Sequence, residues 1–375
     1  MTHTRVWDAP TRVFHWSLVA CFTGEWLTRD ARYLDLHVFL GYTMAALVLF
    51  RIAWGFVGTR WARFSSFTAS PRAGMAYLRA LAQGRHPHYI GHNPAGTWSI
   101  YLLLLLALSA VVTGVIALGA EKGHGPLAHA FSYATGDTVH ELHEWLAWTM
   151  LAVVAAHVLG VIAGSHADRE NLAGAMVTGY KRARQGFDSV PAHAGIAAAL
   201  VIGIALAAAM YFQPYASATA AKPYRPFTHA PLPTNATWQA ECGSCHIAFH
   251  PSLLTARSWD RLLAQQQEHF GEDLGLEQKT IEDLRTYARA HAAERLESPV
   301  AWKMAKSGPT GDAPIEITAT RYWQHRHASI DAVTWKSVKK SDCGACHLDA
   351  EAGTFEPGAI HIGTGSPATK AKAEG

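Results

Sequence analysis

Two hexapeptides in the C-terminal third, Glu241–His246 (ECGSCH) and Asp342–His347 (DCGACH), each place two thiols three residues apart with an imidazole beside the second. That spacing suits thiolate ligation of zinc, a small-loop disulfide, or thioether attachment of haem with the adjacent histidine on iron. A zinc site would want the two cysteine pairs closer in sequence than the roughly hundred residues that separate them. A disulfide leaves the repeated histidine unexplained. Covalent haem c uses every member of the pattern: Cys242, Cys245 and His246 in one copy, Cys343, Cys346 and His347 in the other. These take four of the five cysteines, and the fifth, Cys21, reads as a small buried residue in an apolar run. Each haem then has a sixth iron position to fill or leave open. The segment SWDRLLAQQQEHFGED offers His269, and TRYWQHRH offers His325 and His327. His250 is a weaker candidate, His291 and His361 read as solvated residues, and no methionine is well placed apart from Met304.

A second set of histidines lies in apolar surroundings. The stretch Thr138–Gly160, TVHELHEWLAWTMLAVVAAHVLG, carries His143 near one end and His157 near the other. Fourteen residues at 100° each leave the two about 40° short of four full turns, so they share a face about 21 Å apart along the axis. His140 points to roughly the opposite side. Earlier apolar runs carry His15 near the start of the first and His37 near the start of the second. With runs alternating in direction, His37 falls level with His143, and His15 with His157. Two level pairs of imidazoles across a helix bundle are what two bis-histidine haem b groups require. Gly41 and Gly160, about one turn beyond His37 and His157, leave space for a porphyrin face. Arg51 lies fourteen residues after His37, on the same face and at the depth of the second pair, where haem propionates would partner it. The ordinary alternative, histidines gluing helices by hydrogen bonds, explains one such residue more easily than four in two level pairs.

The elements that must position these groups follow from apolar length. Five runs stand out, at about Val13–Leu27, Leu36–Val57, Thr97–Leu118, Leu142–Gly164 and Ala192–Phe212. Thr97–Leu118 has no charge and is long enough to cross a bilayer, whereas the first run is short and carries Glu25. Arg5 and Arg12 precede the first run. Arg60, Arg63, Arg72, Arg79 and Arg85 lie between the second and third, and Arg169, Lys181, Arg182 and Arg184 between the fourth and fifth. The opposite loops hold only Arg29, Arg32 and Lys122. This asymmetry predicts a cytoplasmic N-terminus, five crossings of a bacterial inner membrane and a periplasmic C-terminal part. A net charge of +3 gives no case for nucleic acid binding. His86, His88 and His92, in a loop, read as ordinary residues rather than a metal site. The expected organisation is a membrane cytochrome b domain at 1–187, a fifth transmembrane helix at 188–212, a proline-rich linker at 213–237, a small and mostly helical haem c domain at 238–363, and a disordered tail at 364–375.

Several segments then match known families. RVFHW (Arg12–Trp16), WGFVGTRWARF (Trp54–Phe64), GHNPAG (Gly91–Gly96) and HELHEWLAW followed by His157 resemble the bacterial cytochrome b561 and nickel-hydrogenase cytochrome b family, over about 5–185. The resemblance implies an all-α membrane protein with a four-helix bundle holding two haems, and His15, His37, His143 and His157 at the ligand positions. It also implies exchange with the quinone pool; the fifth run, outside that pattern, looks like an added tether. HFG, TRYWQHRH, the two CxxCH motifs and the CHLDAEAGTF tail resemble the dihaem cytochrome c family over about 238–356, which implies bis-histidine haems with His269 and His327 as distal ligands. The combined expectation is electron transfer from quinol through two haem b to two haem c and on to a soluble periplasmic c-type haem protein. The alternatives are a cytochrome subunit anchoring a larger oxidoreductase, or an enzyme acting on superoxide or a small molecule at an exposed haem. No acid–base or nucleophile constellation stands out.

Overall fold

The computed structural model describes residues 2–85, 87–183, 188–219, 227–229, 231–307, 313–332 and 334–361. His86, the 364–375 tail and linker residues 220–226 and 230 lie outside the described residues. The chain forms two compact units, one of Met1–Val115 with Thr138–Tyr224, the other of Ile116–Asp137 with Arg225–Gly375.

The first unit runs β1 (Thr2–Arg5), α1 (Ala9–Leu27), α2 (Leu34–Val57), α3 (Pro71–Ala82), α4 (Pro94–Lys122), α5 (Tyr133–Asp168), α6 (Leu172–Thr178), β2 (Tyr180–Ala183) and α7 (Ala194–Ala216), with α4 and α5 extending into the second. Asp8 starts α1: its carboxylate accepts the Thr11 N–H at 2.8 Å, and Pro10 sits where no N–H is needed. The other carboxylate oxygen accepts Trp54 Nε1–H at 3.1 Å and the Thr59 hydroxyl at 2.6 Å. A single residue, 1% exposed, thus ties the start of α1 to the end of α2. Nearby, β1 pairs antiparallel with β2 from Thr2↔Ala183 to Arg5↔Tyr180. Gly179, at φ 89°, ends α6 in the left-handed conformation that lets the chain turn into β2.

Phe14 and Cys21 of α1, Met44, Leu47 and Val48 of α2, Leu106 and Ala107 of α4 and Met150 of α5 form the core. The outside is also apolar, with Leu49, Leu105, Trp145, Leu159 and Met210 exposed. Helices apolar all round are stable in a membrane, where the surroundings are hydrocarbon. Four helical segments are long and apolar enough to span: Ala31–Val57, α4, α5 and α7. The run expected at Val13–Leu27 lies in α1, which is not among them, because Arg12, His15 and Glu25 dilute its apolar character. The run expected as a tether does more than that: Leu200 and Ile204 of α7 pack on the core, and Tyr211 and Tyr215 donate to the backbone and carboxylate of Asp35.

The second unit is built from α8 (Ala236–Cys242), α9 (Ala256–Ala264), α10 (Gln278–Ala290), α11 (Pro299–Lys306), α12 (Arg321–His327) and α13 (Thr334–Ser337). Trp238, Trp259, Leu263, Leu284 and Tyr287 make one core, and Leu253, Ala293 and Met304 a second. Residues 116–137 belong to this unit. Asp137 accepts Lys303 Nζ at 2.8 Å and Trp302 Nε1–H at 3.3 Å, and the Tyr133 ring lies 5.7 Å from Trp302.

Asp8→Ala should strand three buried donors and lower stability by about 2–3 kcal/mol. Asp8→Asn, which keeps an acceptor, should lose less. Thermal unfolding of the detergent-solubilised protein, followed by helical circular dichroism, checks this; equal midpoints for Asp8→Ala and wild type would contradict it.

Candidate functional site

A metal–imidazole bond of about 2 Å plus about 1.1 Å from nitrogen to ring centre puts two trans imidazoles on one metal about 6.3 Å apart, centre to centre. Four histidine pairs have this spacing; in one of them, His250 with His291 at 6.4 Å, both His250 nitrogens are already bonded, which leaves three. His37 of α2 and His143 of α5 lie 6.1 Å apart. His246 and His269 lie 6.5 Å apart, and His327 and His347 lie 6.2 Å apart.

The ring orientations are held from behind. His143 Nδ1–H donates to the Ala110 carbonyl at 2.9 Å, and His37 Nδ1–H to the Glu25 carbonyl at 3.2 Å. His246 and His327 do the same with the carbonyls of Ile247 at 2.7 Å and Trp323 at 2.8 Å. A carbonyl only accepts, so Nδ1 carries the proton and Nε2 presents a bare lone pair, the tautomer that ligates metals. His157 Nδ1 pairs with the Ser99 hydroxyl at 3.3 Å, whereas Nδ1 of His15 and of His347 is buried without a partner. Burial, reinforced by the facing imidazole, holds His269 and His347 below the ordinary histidine value. Burial also lowers His327, against the pull of its bond to Trp323. Neutral rings are the ones that bind iron.

Two imidazoles leave a metal short of ligands. Among the described residues, no three His, Cys, Asp or Glu side chains converge to complete such a site. The missing positions call for a planar tetradentate ligand, which porphyrin is. In the first unit, a Cβ added at Gly160 would meet nothing within 4 Å, and one at Gly41 would meet only Glu25 Oε1, at 3.5 Å. Both positions are open enough to lie beside a large flat group.

In the second unit, Cys242 ends α8 and Cys343 opens a 3-10 turn capped by Asp342. Burial, with Glu241 nearby, pushes the Cys242 thiol up to about 12; burial and Asp342 push Cys343 up to about 11. Thiols held that high are poor thiolate ligands. Cys346 caps the end of that turn, and Cys245 is exposed. His269 enters the tight HFG turn: its N–H donates to the Glu272 carbonyl at 2.8 Å, and Phe270 (φ 52°) is 61% exposed rather than in the core.

The remaining candidates separate clearly. His327 stacks on Trp323 at 4.3 Å and faces His347, while His325 of the same helix is exposed. His250 is buried with both nitrogens occupied, by Ser252 and by the Pro233 carbonyl. His291 donates to the Tyr287 carbonyl, and His361 is exposed. Met304 is a core residue, 3.6 Å from the Thr320 hydroxyl. Arg51 is 4% exposed, with Nη1 unpartnered and its guanidinium 4.9 Å from the Phe64 ring. His92, set aside in the sequence as an ordinary loop residue, has Nδ1 buried and unpartnered between Trp7 and Phe67. Its place in GHNPAG, shared with that family, was the available signal.

Comparison with known proteins matches residues 6–179 to the prokaryotic cytochrome b561 family and residues 238–355 to the dihaem cytochrome c family. The chain is 26% identical over 211 residues to a probable Ni/Fe-hydrogenase 1 B-type cytochrome subunit of Escherichia coli K12, covering 47% of this chain and 89% of that protein. It is 22% identical to a probable Ni/Fe-hydrogenase B-type cytochrome subunit of Rhodobacter capsulatus, covering 48% and 82%. Among solved structures, a dihaem cytochrome c from Rhodobacter sphaeroides is 30% identical, covering 34% of this chain and 100% of that one, with a TM-score of 0.31. One from Shewanella baltica OS155 is 28% identical, covering 35% and 94%, with a TM-score of 0.28.

His327→Ala should convert one covalently bound haem from a six-coordinate low-spin to a high-spin spectrum, and His325→Ala should leave the spectrum unchanged. Electron paramagnetic resonance of the oxidised protein distinguishes them. The converse result would assign the position to His325.

Proposed function

We propose, for a chain that joins a prokaryotic cytochrome b561 domain to a dihaem cytochrome c domain, that it carries electrons from membrane quinol through two haem b to two haem c and on to a soluble periplasmic c-type haem protein. The observation that carries this reading is the set of three imidazole pairs at 6.1–6.5 Å. Haem, when bound, supplies reversible one-electron chemistry at iron. The residues supply the rest. His37 with His143 and His15 with His157 hold the two haem b groups. Cys242, Cys245, His246 and His269 hold one haem c; Cys343, Cys346, His347 and His327 hold the other. Arg51, a buried cation with a free donor, pairs with haem propionate. The Nδ1–H bonds to carbonyls fix the rings of His37, His143, His246 and His327 against rotation.

The topology belongs to the same proposal. The helix α1 serves as a fifth crossing, the N-terminus is cytoplasmic and the haem c unit periplasmic, as the Lys and Arg asymmetry of the short loops supports. The likeness to hydrogenase cytochrome subunits supports a second reading, in which the chain anchors a catalytic partner. Recovery of a stoichiometric partner on purification would favour it.

A variant with Cys242, Cys245, Cys343 and Cys346 all replaced by alanine tests the route. In proteoliposomes, quinol should still reduce its haem b groups, while reduction of a soluble cytochrome c falls to background. Acceptor reduction at the wild-type rate would take the haem c unit out of the path. The pairing is tested separately: His157→Ala and His37→Ala should abolish different haem b spectral components, and loss of the same component in both would contradict it.

A further inference from the structure

The connection between α2 and α4, residues 58–93, carries Arg60, Arg63, Arg72, Arg79 and Arg85 and no Asp or Glu. Its middle folds as α3, where the Ser70 hydroxyl accepts the Ala73 N–H at 3.2 Å and Pro71 takes the first helical position. One flank of α3 packs on its own unit. Gly74 and Tyr77 are buried, and the Tyr77 ring lies 5.7 Å from that of Tyr89. A Cβ at Gly74 would meet Trp98 Cδ1 at 3.3 Å and the Pro94 carbonyl oxygen at 3.6 Å. Pro94 and Trp98 belong to the first turns of α4, so α3 lies against the end of a helix long and apolar enough to span. The end of a span is the level of the lipid headgroups, where an exposed indole such as Trp98 is at home.

The rest of the α3 surface has two parts. Met75 and Leu78 are exposed and stand about 60° apart around the axis. Arg72 and Arg79, also exposed, share one line to within about 20°, on the side away from Gly74 and Tyr77. We infer that α3 is an interfacial helix that binds anionic phospholipid: Met75 and Leu78 enter the acyl boundary, while Arg72 and Arg79 pair with headgroup phosphates. Place and charge select this occupant. The neighbouring span brings lipid to this depth, and a helix lying in the interface needs an apolar strip beside a line of cations. Guanidinium matches phosphate oxygens two at a time, and residues 58–93 hold no carboxylate of their own to compete. Phosphatidylglycerol, with a net negative charge, gains from both arginines, whereas the choline cation of phosphatidylcholine offsets its phosphate. The inference rests on α4 crossing the bilayer.

Two measurements on the full-length holoprotein in phosphatidylglycerol–phosphatidylcholine vesicles test it. With four cysteines holding haem c and Cys21 buried, a nitroxide attaches selectively to an introduced cysteine. Power-saturation electron paramagnetic resonance of labelled Met75→Cys should show more collision with dioxygen than with a water-soluble nickel chelate. Labelled Leu105→Cys, on the exposed side of α4, should do the same. An aqueous signal at position 75 with an apolar one at 105 overturns the inference while the span stands, and is the result a docking face for an acidic soluble protein would give. Aqueous signals at both positions overturn the span and the inference together. Spin-labelled lipids supply the second readout. The protein should prefer phosphatidylglycerol to phosphatidylcholine, and Arg72→Gln with Arg79→Gln should lower that preference about fivefold. Arg29→Gln with Arg32→Gln, in the opposite short loop, should leave it unchanged, with haem absorbance confirming that each variant folds. A preference that survives the loss of Arg72 and Arg79, or falls equally with Arg29 and Arg32, overturns the assignment.

Discussion

Four of the candidate ligands, at least one in each of three pairs, share one arrangement: an imidazole pinned through Nδ1–H to a main-chain carbonyl, which leaves Nε2 as the nitrogen free to ligate. His246 on Ile247 and His327 on Trp323 show it in its shortest forms. Three imidazole pairs stand at the spacing of trans ligands on one metal. A metal centred between them supplies the missing partner to both at once, and the absence of a third protein ligand among the described residues makes a porphyrin iron the fitting group. The carbonyls that pin His37 and His143 lie on neighbouring helices, so there packing and ligation are set by the same contacts, whereas those that pin His246 and His327 are local.

Buried carboxylates play the corresponding part for the chain itself. Asp8 holds a helix N-terminus, an indole and a hydroxyl. Glu356 holds an ammonium, a backbone amide and an imidazole. Each joins segments far apart in sequence, and each is almost fully enclosed, where an ion is stable only when its oxygens are fully bonded. They differ in that the Glu356 set contains an imidazole and an ammonium, where Asp8 holds only neutral donors.

The chemistry was the most legible part of the sequence. The CxxCH motifs are local, and the helical period alone places His143 and His157 on one face, so neither needs tertiary information. The extent of the long helices was also readable, because an apolar run of bilayer length has few other uses. What escaped was set by contacts between distant residues. Residue type and spacing leave His325 and His327 open; the family resemblance points to His327, and its stacking on Trp323 and approach to His347 agree. The α7 helix reads as a tether until Tyr211 and Tyr215 are seen to reach Asp35. Residues 116–137 look like a simple connection, yet they fold with the haem c unit through Asp137 and Lys122, whose partners are 165 to 234 positions away. Charge and periodicity carry no record of such pairings.

The central claim is that this chain holds four bis-histidine haems, two in each unit. Haem analysis of the purified protein tests it most directly: acid–acetone extraction followed by pyridine haemochrome spectra of the extract and of the residue. The account predicts equal amounts of extractable haem b and covalently bound haem c, two of each per chain, all low-spin before extraction. A ratio far from one to one, or a substantial high-spin fraction in the intact protein, would contradict it.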